Sequence, residues 1–249
     1  MMETRITSRK NPLIQQVRRL LTSKKERESA GLFVADGTKL LDEAIRHYPG
    51  LDTVILSDGV VADIPEQITV VRVPEDVMAY ISPMETPQGA LFLCRLPVQK
   101  AFAAQTGMLI LDGIQDPGNL GTILRTADAL NVPVVLLEGC ADPYSHKVVR
   151  ASMGAVLRTQ PILATWEQVC EECKEAGIPV AVTALSEKSQ DIRKADLSAM
   201  AVVIGSEGRG VRPEILAQAD AQLIIPMSDH CESLNAAVAA TIVMWEMKN

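Results

Sequence analysis

Apolar positions at three- and four-residue steps open the chain. Leu13, Val17, Leu20 and Leu21 fall on one helical face, with Arg18, Arg19, Lys24 and Lys25 projecting away from it. Between residues 31 and 95, short apolar runs alternate with helical patterns. Leu32–Val34, Thr53–Leu56, Ile68–Val71 and Ala90–Leu93 read as strands, Thr38–Ile45 and Glu75–Tyr80 as helices. Periodicity lapses over Pro97–Thr106, a stretch of Pro, Lys, Gln and small residues that reads as a linker. Strand patterns resume at Met108–Leu111, Val132–Leu137, Val180–Thr183, Val202–Ile204 and Leu223–Ile225, with helical patterns between them. A long apolar-faced helix over Leu234–Met247 closes the chain. Such alternation predicts an α/β architecture with a partly parallel sheet. The expected division is a first domain over 1–96, a linker over 97–106 and a second domain over 107–249.

Composition narrows the class. Apolar residues make up 47% of 249 and charged residues 22%, which excludes a disordered or fibrous chain. The longest apolar stretch, Ala236–Trp245, is about half of what a bilayer span requires, so no membrane partner is expected. Arg5, Arg9 and Lys10 interrupt any N-terminal signal segment. Five cysteines, an odd number, suit a reduced cytoplasm better than a disulfide framework. Cys170-x-x-Cys173 lacks a second pair of ligands, so no metal is expected, and Trp166, Val169 and Cys173 share helical spacing that points to core packing. With only two Trp, three Tyr and three Phe, a recognition face built of many stacking rings is excluded.

Net charge is −7, which by itself speaks against a uniformly basic nucleic-acid coat. The average hides an asymmetry. Residues 1–30 hold eight bases against three acids, a net +5, so the remaining 219 residues carry −12. That basic helix reads either as a solvated face or as one that meets phosphates, and charge alone does not choose.

Three polar, glycine-rich stretches stand where strands end, the place where open α/β sheets bind ligands. In the first, Leu111-Asp112-Gly113 leads through Pro117-Gly118 into a helix starting near Asn119, with Arg125 six residues on. The free N–H groups of that helix start could receive an anion. Equally, Asn119 could be its cap and Arg125 the partner of a surface acid. The second runs from the strand Val202–Ile204 into Gly205-Ser206-Glu207-Gly208-Arg209-Gly210. Its G-x-x-G-x-G order is neither the dinucleotide fingerprint nor a P-loop. The third is Ile224-Ile225-Pro226-Met227, a turn, then Glu232-Ser233-Leu234-Asn235-Ala236-Ala237-Val238-Ala239-Ala240.

Taken together, the three stretches resemble the signature motifs of the SpoU/TrmH class of SPOUT RNA 2′-O-ribose methyltransferases: N-x-G-x-x-x-R-T-A, G-S-E-G, and I-P-M…E-S-L-N-x-x-V-A-A. Lys147–Ala155 is similar to the family's K-x-x-R-A-S-x-G-A stretch, and Ile6–Pro12 with Phe33–Gly37 resembles its L30e-like substrate-binding domain more loosely. The resemblance implies a C-terminal trefoil-knotted methyltransferase domain with a mainly parallel sheet, preceded by a smaller L30e-like α/β domain that binds RNA. Knots are rare exceptions that no pattern reading proposes. It implies S-adenosylmethionine as methyl donor, held by Thr183, Ala184, Gly205, Ile225, Met227 and Leu234. It also implies a homodimer through the knotted domain, for which the small face of Ala236, Ala239 and Ala240 is suited, and a cytoplasmic enzyme acting on rRNA or, second, tRNA.

By the same resemblance, Asn119, Arg125, Glu207, Ser233 and Asn235 form the active site, and Arg125 is a general-base candidate. A guanidinium effectively never deprotonates, so chemistry favours Arg125 as a phosphate clamp, with that phosphate or a water accepting the proton. Arg9, Lys10, Arg18, Arg19, Lys147 and Arg150 are the RNA-binding candidates. The chain departs from the pattern at Asp229-His230-Cys231, where relatives carry a glycine-bearing turn, and at Ala236-Ala237 in place of Val-Ser. Two other classes compete: a catalytically silent RNA-binding or ribosome-assembly factor on the same scaffold, and a nucleotide-dependent oxidoreductase. Retention of all five polar residues weighs against the first, and the missing glycine fingerprint against the second.

Overall fold

A computed structural model describes residues 3–99, 101–228, 230 and 233–248. The first stretch of chain forms β1 (Glu3–Arg5), α1 (Pro12–Thr22), α2 (Lys24–Ala30), β2 (Leu32–Asp36), α3 (Thr38–His47), β3 (Leu51–Ser57), β4 (Thr69–Val73), α4 (Glu75–Ile81) and β5 (Ala90–Arg95). Asn11 starts α1 by accepting a hydrogen bond from the Leu13 N–H, and Pro12 occupies the first helical position, where its missing N–H costs nothing. The five strands form a mixed sheet in the order β1-β4-β3-β5-β2, with β1, β4 and β3 parallel and β5 antiparallel to both β3 and β2. Ile14, Val17 and Leu20 of α1 pack with Val34, Ile55, Leu91 and Leu93 in one core.

The rest of the chain forms β6 (Met108–Asp112), α5 (Pro117–Leu130), β7 (Val134–Leu136), α6 (His146–Ala151), α7 (Ala155–Arg158), β8 (Ile162–Leu163), α8 (Trp166–Ala176), β9 (Val180–Thr183), β10 (Gln190–Asp191), β11 (Ala201–Gly205), α9 (Pro213–Gln218), β12 (Ala221–Ile224) and α10 (Ala236–Glu246). Its seven strands run β10-β12-β9-β11-β6-β7-β8 and every pairing is parallel. Parallel strands are covered on both faces, which is why β6 and β11 read as uninterrupted apolar runs and are buried along nearly their whole length. Trp166, Val169 and Cys173 of α8 lie in the core of this sheet, as their spacing predicts, and Phe102 is buried there as well.

By contacts the chain divides into two units: Met1–Val98 with Asp142–Gln160, and Gln99–Ala141 with Pro161–Asn249. Residues 142–160, with α6 and α7, therefore pack on the first unit although they lie in sequence within 107–249. The attachment is a buried ion pair. Arg27 donates from Nε and Nη2 to Asp142 at 2.8 and 2.6 Å, and from Nη1 to the Leu20 carbonyl at 2.5 Å. Only 6% of the Arg27 side chain is exposed, so these three hydrogen bonds satisfy a charge that water hardly reaches.

In the second unit, neighbouring strands end at one level. Gly205 pairs with Asp112 across β11 and β6, and Leu223 with Thr183 across β12 and β9. The chain order runs one way from β6 through β7 and β8, and the other way through β11, β9 and β12. The strand order reverses between β6 and β11, and the carboxyl ends of the strands at such a reversal are where open α/β sheets bind ligands.

Candidate active site

Two loops and a helix start converge at those strand ends. After β11 the chain turns back on itself. The Ser206 N–H donates to the Gly210 carbonyl at 3.1 Å, and the Gly210 N–H returns to the Ser206 carbonyl at 2.9 Å. A Cβ on Gly205 would stand 2.0 Å from the Gly210 carbonyl carbon, so only glycine admits this closure, and Gly210 takes a left-handed φ of 67°. The first and last glycines of the G-x-x-G-x-G stretch are thus set by the loop's own backbone, whereas a Cβ on Gly208 would meet nothing within 4 Å. Asp112, 2% exposed at the end of β6, fixes the far side of the loop by accepting from the Arg212 N–H at 2.8 Å and from Arg212 Nε at 2.7 Å.

After β6, Asp116 caps α5, accepting the Asn119 N–H at 2.8 Å. The capping role weighed for Asn119 therefore falls to Asp116, and the Asn119 side chain is left for other partners. Its Nδ2 donates to Glu207 Oε1, and its Oδ1 accepts from Asn235 Nδ2 at 3.0 Å. Asn235 is itself the cap of α10, with Oδ1 accepting the Ala237 and Val238 N–H groups at 2.9 and 3.3 Å. The closing helix hence begins at Ala236, two residues later than its apolar pattern predicts, and Ser233 and Leu234 precede it.

These bonds assign both amides. The helix N–H groups demand the oxygen of Asn235, so its NH₂ faces Asn119. That face of Asn119 must then be oxygen, so its own NH₂ faces Glu207. The relay ends on a carboxylate with an acceptor oxygen to spare.

Glu207 and Ser233 also line a cavity of about 420 Å³, within the range of small-molecule sites. Its wall includes Thr183 and Ala184 at the end of β9, Gly205 at the end of β11, and Ile225, Met227 and Leu234 from the segment leading to α10. All six residues expected to hold a cofactor therefore share one cavity. Of the five polar residues, Glu207 and Ser233 line it, and Asn119 and Asn235 reach it through the hydrogen bonds that end on Glu207. Arg125 is exposed on a different face of α5 and forms no hydrogen bond or ion pair with a described residue. Asp229, Cys231 and Glu232 of the third motif lie outside the described residues, and His230 is exposed.

Of the RNA-binding candidates, all six lie in the first unit. Lys147 and Arg150 are exposed on α6. Arg9 pairs with Asp76 at 3.0 Å and Arg19 with Glu26 at 3.5 Å, while Lys10 is exposed. Arg9 and Arg18 converge on one ring, Tyr80 at the end of α4, at 5.3 and 4.2 Å from its centroid. Sequence reasoning passed over Tyr80, Asp112 and Arg212. Nothing local marks the first, and the other two could be suspected only as an acid at a strand end and a base just past a glycine loop.

The sequence model of the SpoU rRNA Methylase family matches residues 107–245, more than half of the chain. The chain belongs to the SpoU rRNA methylase family. A model of the MRM3-like substrate binding domain matches residues 11–91, which covers most of the first unit. The 23S rRNA (guanosine(2553)-2′-O)-methyltransferase RlmP of Bacillus subtilis is 33% identical over 98% of this chain and 98% of its own length. The crystal structure of an AdoMet-bound rRNA methyltransferase from Sinorhizobium meliloti superposes with a TM-score of 0.87 at 30% identity, covering 99% of this chain and 97% of that one. The likeness to that solved structure spans both units, and the cavity at the strand ends lies within the residues that the SpoU model matches.

Proposed function

We propose that this chain transfers a methyl group from S-adenosylmethionine to a ribose 2′-hydroxyl of rRNA, the first unit binding RNA and the second carrying out the transfer. The observation that carries the reading is the joining of the Asn235–Asn119–Glu207 relay to the 420 Å³ cavity. The residues fit the cofactor: strand-end main chain at Thr183, Ala184 and Gly205 supplies hydrogen-bonding groups, while Ile225, Met227 and Leu234 supply apolar walls. When bound, S-adenosylmethionine supplies an already electrophilic sulfonium methyl, so the protein has chiefly to place a hydroxyl in line and provide for its proton.

Glu207 accepts a hydrogen bond from the substrate hydroxyl through the oxygen that Asn119 leaves free. The cap of α10 fixes that geometry before substrate arrives. Arg125, exposed and without a carboxylate partner among the described residues, keeps its proton and clamps the target phosphate. Ser233, at the cavity wall, orients the nucleotide. A scaffold reduced to silent RNA binding has no need of a connected polar relay at a cofactor-sized cavity, which favours the enzyme over that alternative.

The proposal also includes a homodimer through the second unit. Support comes from α10, which is apolar on every side yet leaves Val238 48% and Trp245 58% exposed. The knotted path of the C-terminal segment belongs to the same proposal, supported by the cavity that Gly205, Glu207 and Gly210 share with Ile225, Met227, Leu234 and Ala236. No helix among the described residues is long and apolar enough to cross a membrane, in keeping with a cytoplasmic site of action.

Calorimetric titration with S-adenosylmethionine tests the reading. The expected result is saturable binding to the wild-type chain and none to Ala184→Trp, whose indole fills the cavity while the melting temperature holds. Absence of binding to the wild type would remove the proposed chemistry.

A further inference from the structure

Six of the eight aromatic rings are buried, so a ring that reaches the surface even in part needs a reason. One of the two exceptions, Trp245, lies on α10; the other is Tyr80, on α4 of the first unit. Tyr48 and Tyr144 are 5% exposed, whereas the Tyr80 ring is half-buried, packed on one side against the core of the first unit and bounded by the start of α1. Gln15 holds it from the α1 side, its Nε2 donating to Tyr80 Oη at 3.3 Å and to the Arg9 carbonyl at 2.6 Å. Hydrogen bonds from Gln15 and Arg18 also pull the phenol below its ordinary pKa.

Charge at this spot is unevenly spent. Of the eight basic residues in 1–30, Arg5, Arg9, Arg19, Lys24 and Arg27 are each ion-paired with a carboxylate. Arg18 has no carboxylate partner among the described residues and lies 4.2 Å from the Tyr80 centroid. Arg9, oriented by Asp76, approaches the same ring at 5.3 Å. A guanidinium without an ion-pair partner among the described residues, beside a half-buried ring and with Lys10 and Lys25 likewise unpaired there, offers a planar surface for a base and a donor fork for the neighbouring phosphate.

We propose that Tyr80, Arg18 and Arg9 form a stacking site for a single unpaired nucleobase of the RNA, with Arg18 engaging the adjacent phosphate. This rests on the reading that the chain acts on RNA, and it specifies the substrate: a looped or splayed nucleotide, because paired bases in an A-form duplex keep their faces covered. One ring is enough for one base, in accord with a composition too poor in aromatics for a sheet-wide platform.

The test uses the full chain and an oligouridylate carrying one central 2-aminopurine, whose emission falls on stacking, beside a blunt RNA duplex of equal length. Wild type and Tyr80→Phe quench the probe and bind it alike. Tyr80→Leu loses the quench and about tenfold in affinity for the single strand, with the duplex unaffected. Arg18→Gln weakens single-strand binding and lowers the salt slope by about one. Wild-type affinity and quenching in Tyr80→Leu would overturn the proposal, as would an equal loss on the duplex, which would mark the ring as a packing residue. Titration of S-adenosylmethionine into the same samples separates the two readings. Normal cofactor binding with an inert Tyr80→Leu substitution sinks the stacking site alone, whereas a quench lost with Tyr80 in a chain that binds no cofactor upholds it while the methyltransferase reading fails.

Discussion

Asn119 serves the site because another residue caps its helix. Asp116 takes the Asn119 N–H in the first turn of α5, and this leaves the Asn119 side-chain amide to link Asn235 with Glu207. A similar economy governs Gly205, whose missing Cβ lets the backbone of Gly210 approach. Gly205→Ala should break the Ser206–Gly210 pair, lower stability by about 1–3 kcal/mol and weaken cofactor binding with it. Gly208→Ala is the control, since an added Cβ there meets nothing within 4 Å. Thermal melting of the two variants checks the contrast, and matching curves for Gly205→Ala and wild type would show that the loop closes in some other way.

At the scale of elements, α6 and α10 carry consequences that their sequences do not announce. His146 at the start of α6 is held below its ordinary pKa of 6.5, chiefly by burial, with the Leu21 carbonyl and Asp36 opposing the shift. The unfolded chain then binds a proton that the folded chain refuses, so stability falls as pH drops through the window below 6.5. Asp36, raised by burial against the pull of Arg150 and His146, acts in the opposite sense from its ordinary 3.8 upward. Melting temperature followed across that window should flatten in His146→Gln, and an unchanged slope would assign the dependence elsewhere. On α10, Trp245→Asp should shift the protein from dimer to monomer in sedimentation equilibrium, and a monomeric wild type would remove the interface. Long buried strands such as β6 and β11 were legible because burial on both faces writes an unbroken apolar run. β1, β8 and β10 were not, being two- or three-residue edge strands such as Glu3-Thr4-Arg5 and Gln190-Asp191. The motif resemblance placed Asn119, Glu207 and Asn235 in one site, but the order of their hydrogen bonds depends on which residue caps each helix. Tyr80 stayed hidden because its role arises only where α4 meets α1.

At the scale of the whole molecule, the chain's acidity and its RNA substrate are compatible because the charge is distributed unequally. The first 30 residues hold a net +5, and within them most bases are already paired, which concentrates the available charge on residues such as Arg18. Nor do the units follow the linear order of the chain: the Arg27–Asp142 pair joins residues 115 positions apart and draws α6 and α7, with Lys147 and Arg150, onto the first unit. That arrangement cannot be read from a cut in sequence. The central claim concerns the atom that receives the methyl group. The most direct measurement is to incubate the protein with rRNA and S-adenosylmethionine, digest the product to nucleosides and identify the methylated species by mass spectrometry. The account predicts a 2′-O-methylnucleoside, formed by the wild type and diminished about a hundredfold or more in Glu207→Gln. A base-methylated nucleoside, or no methylated product at all, would contradict it.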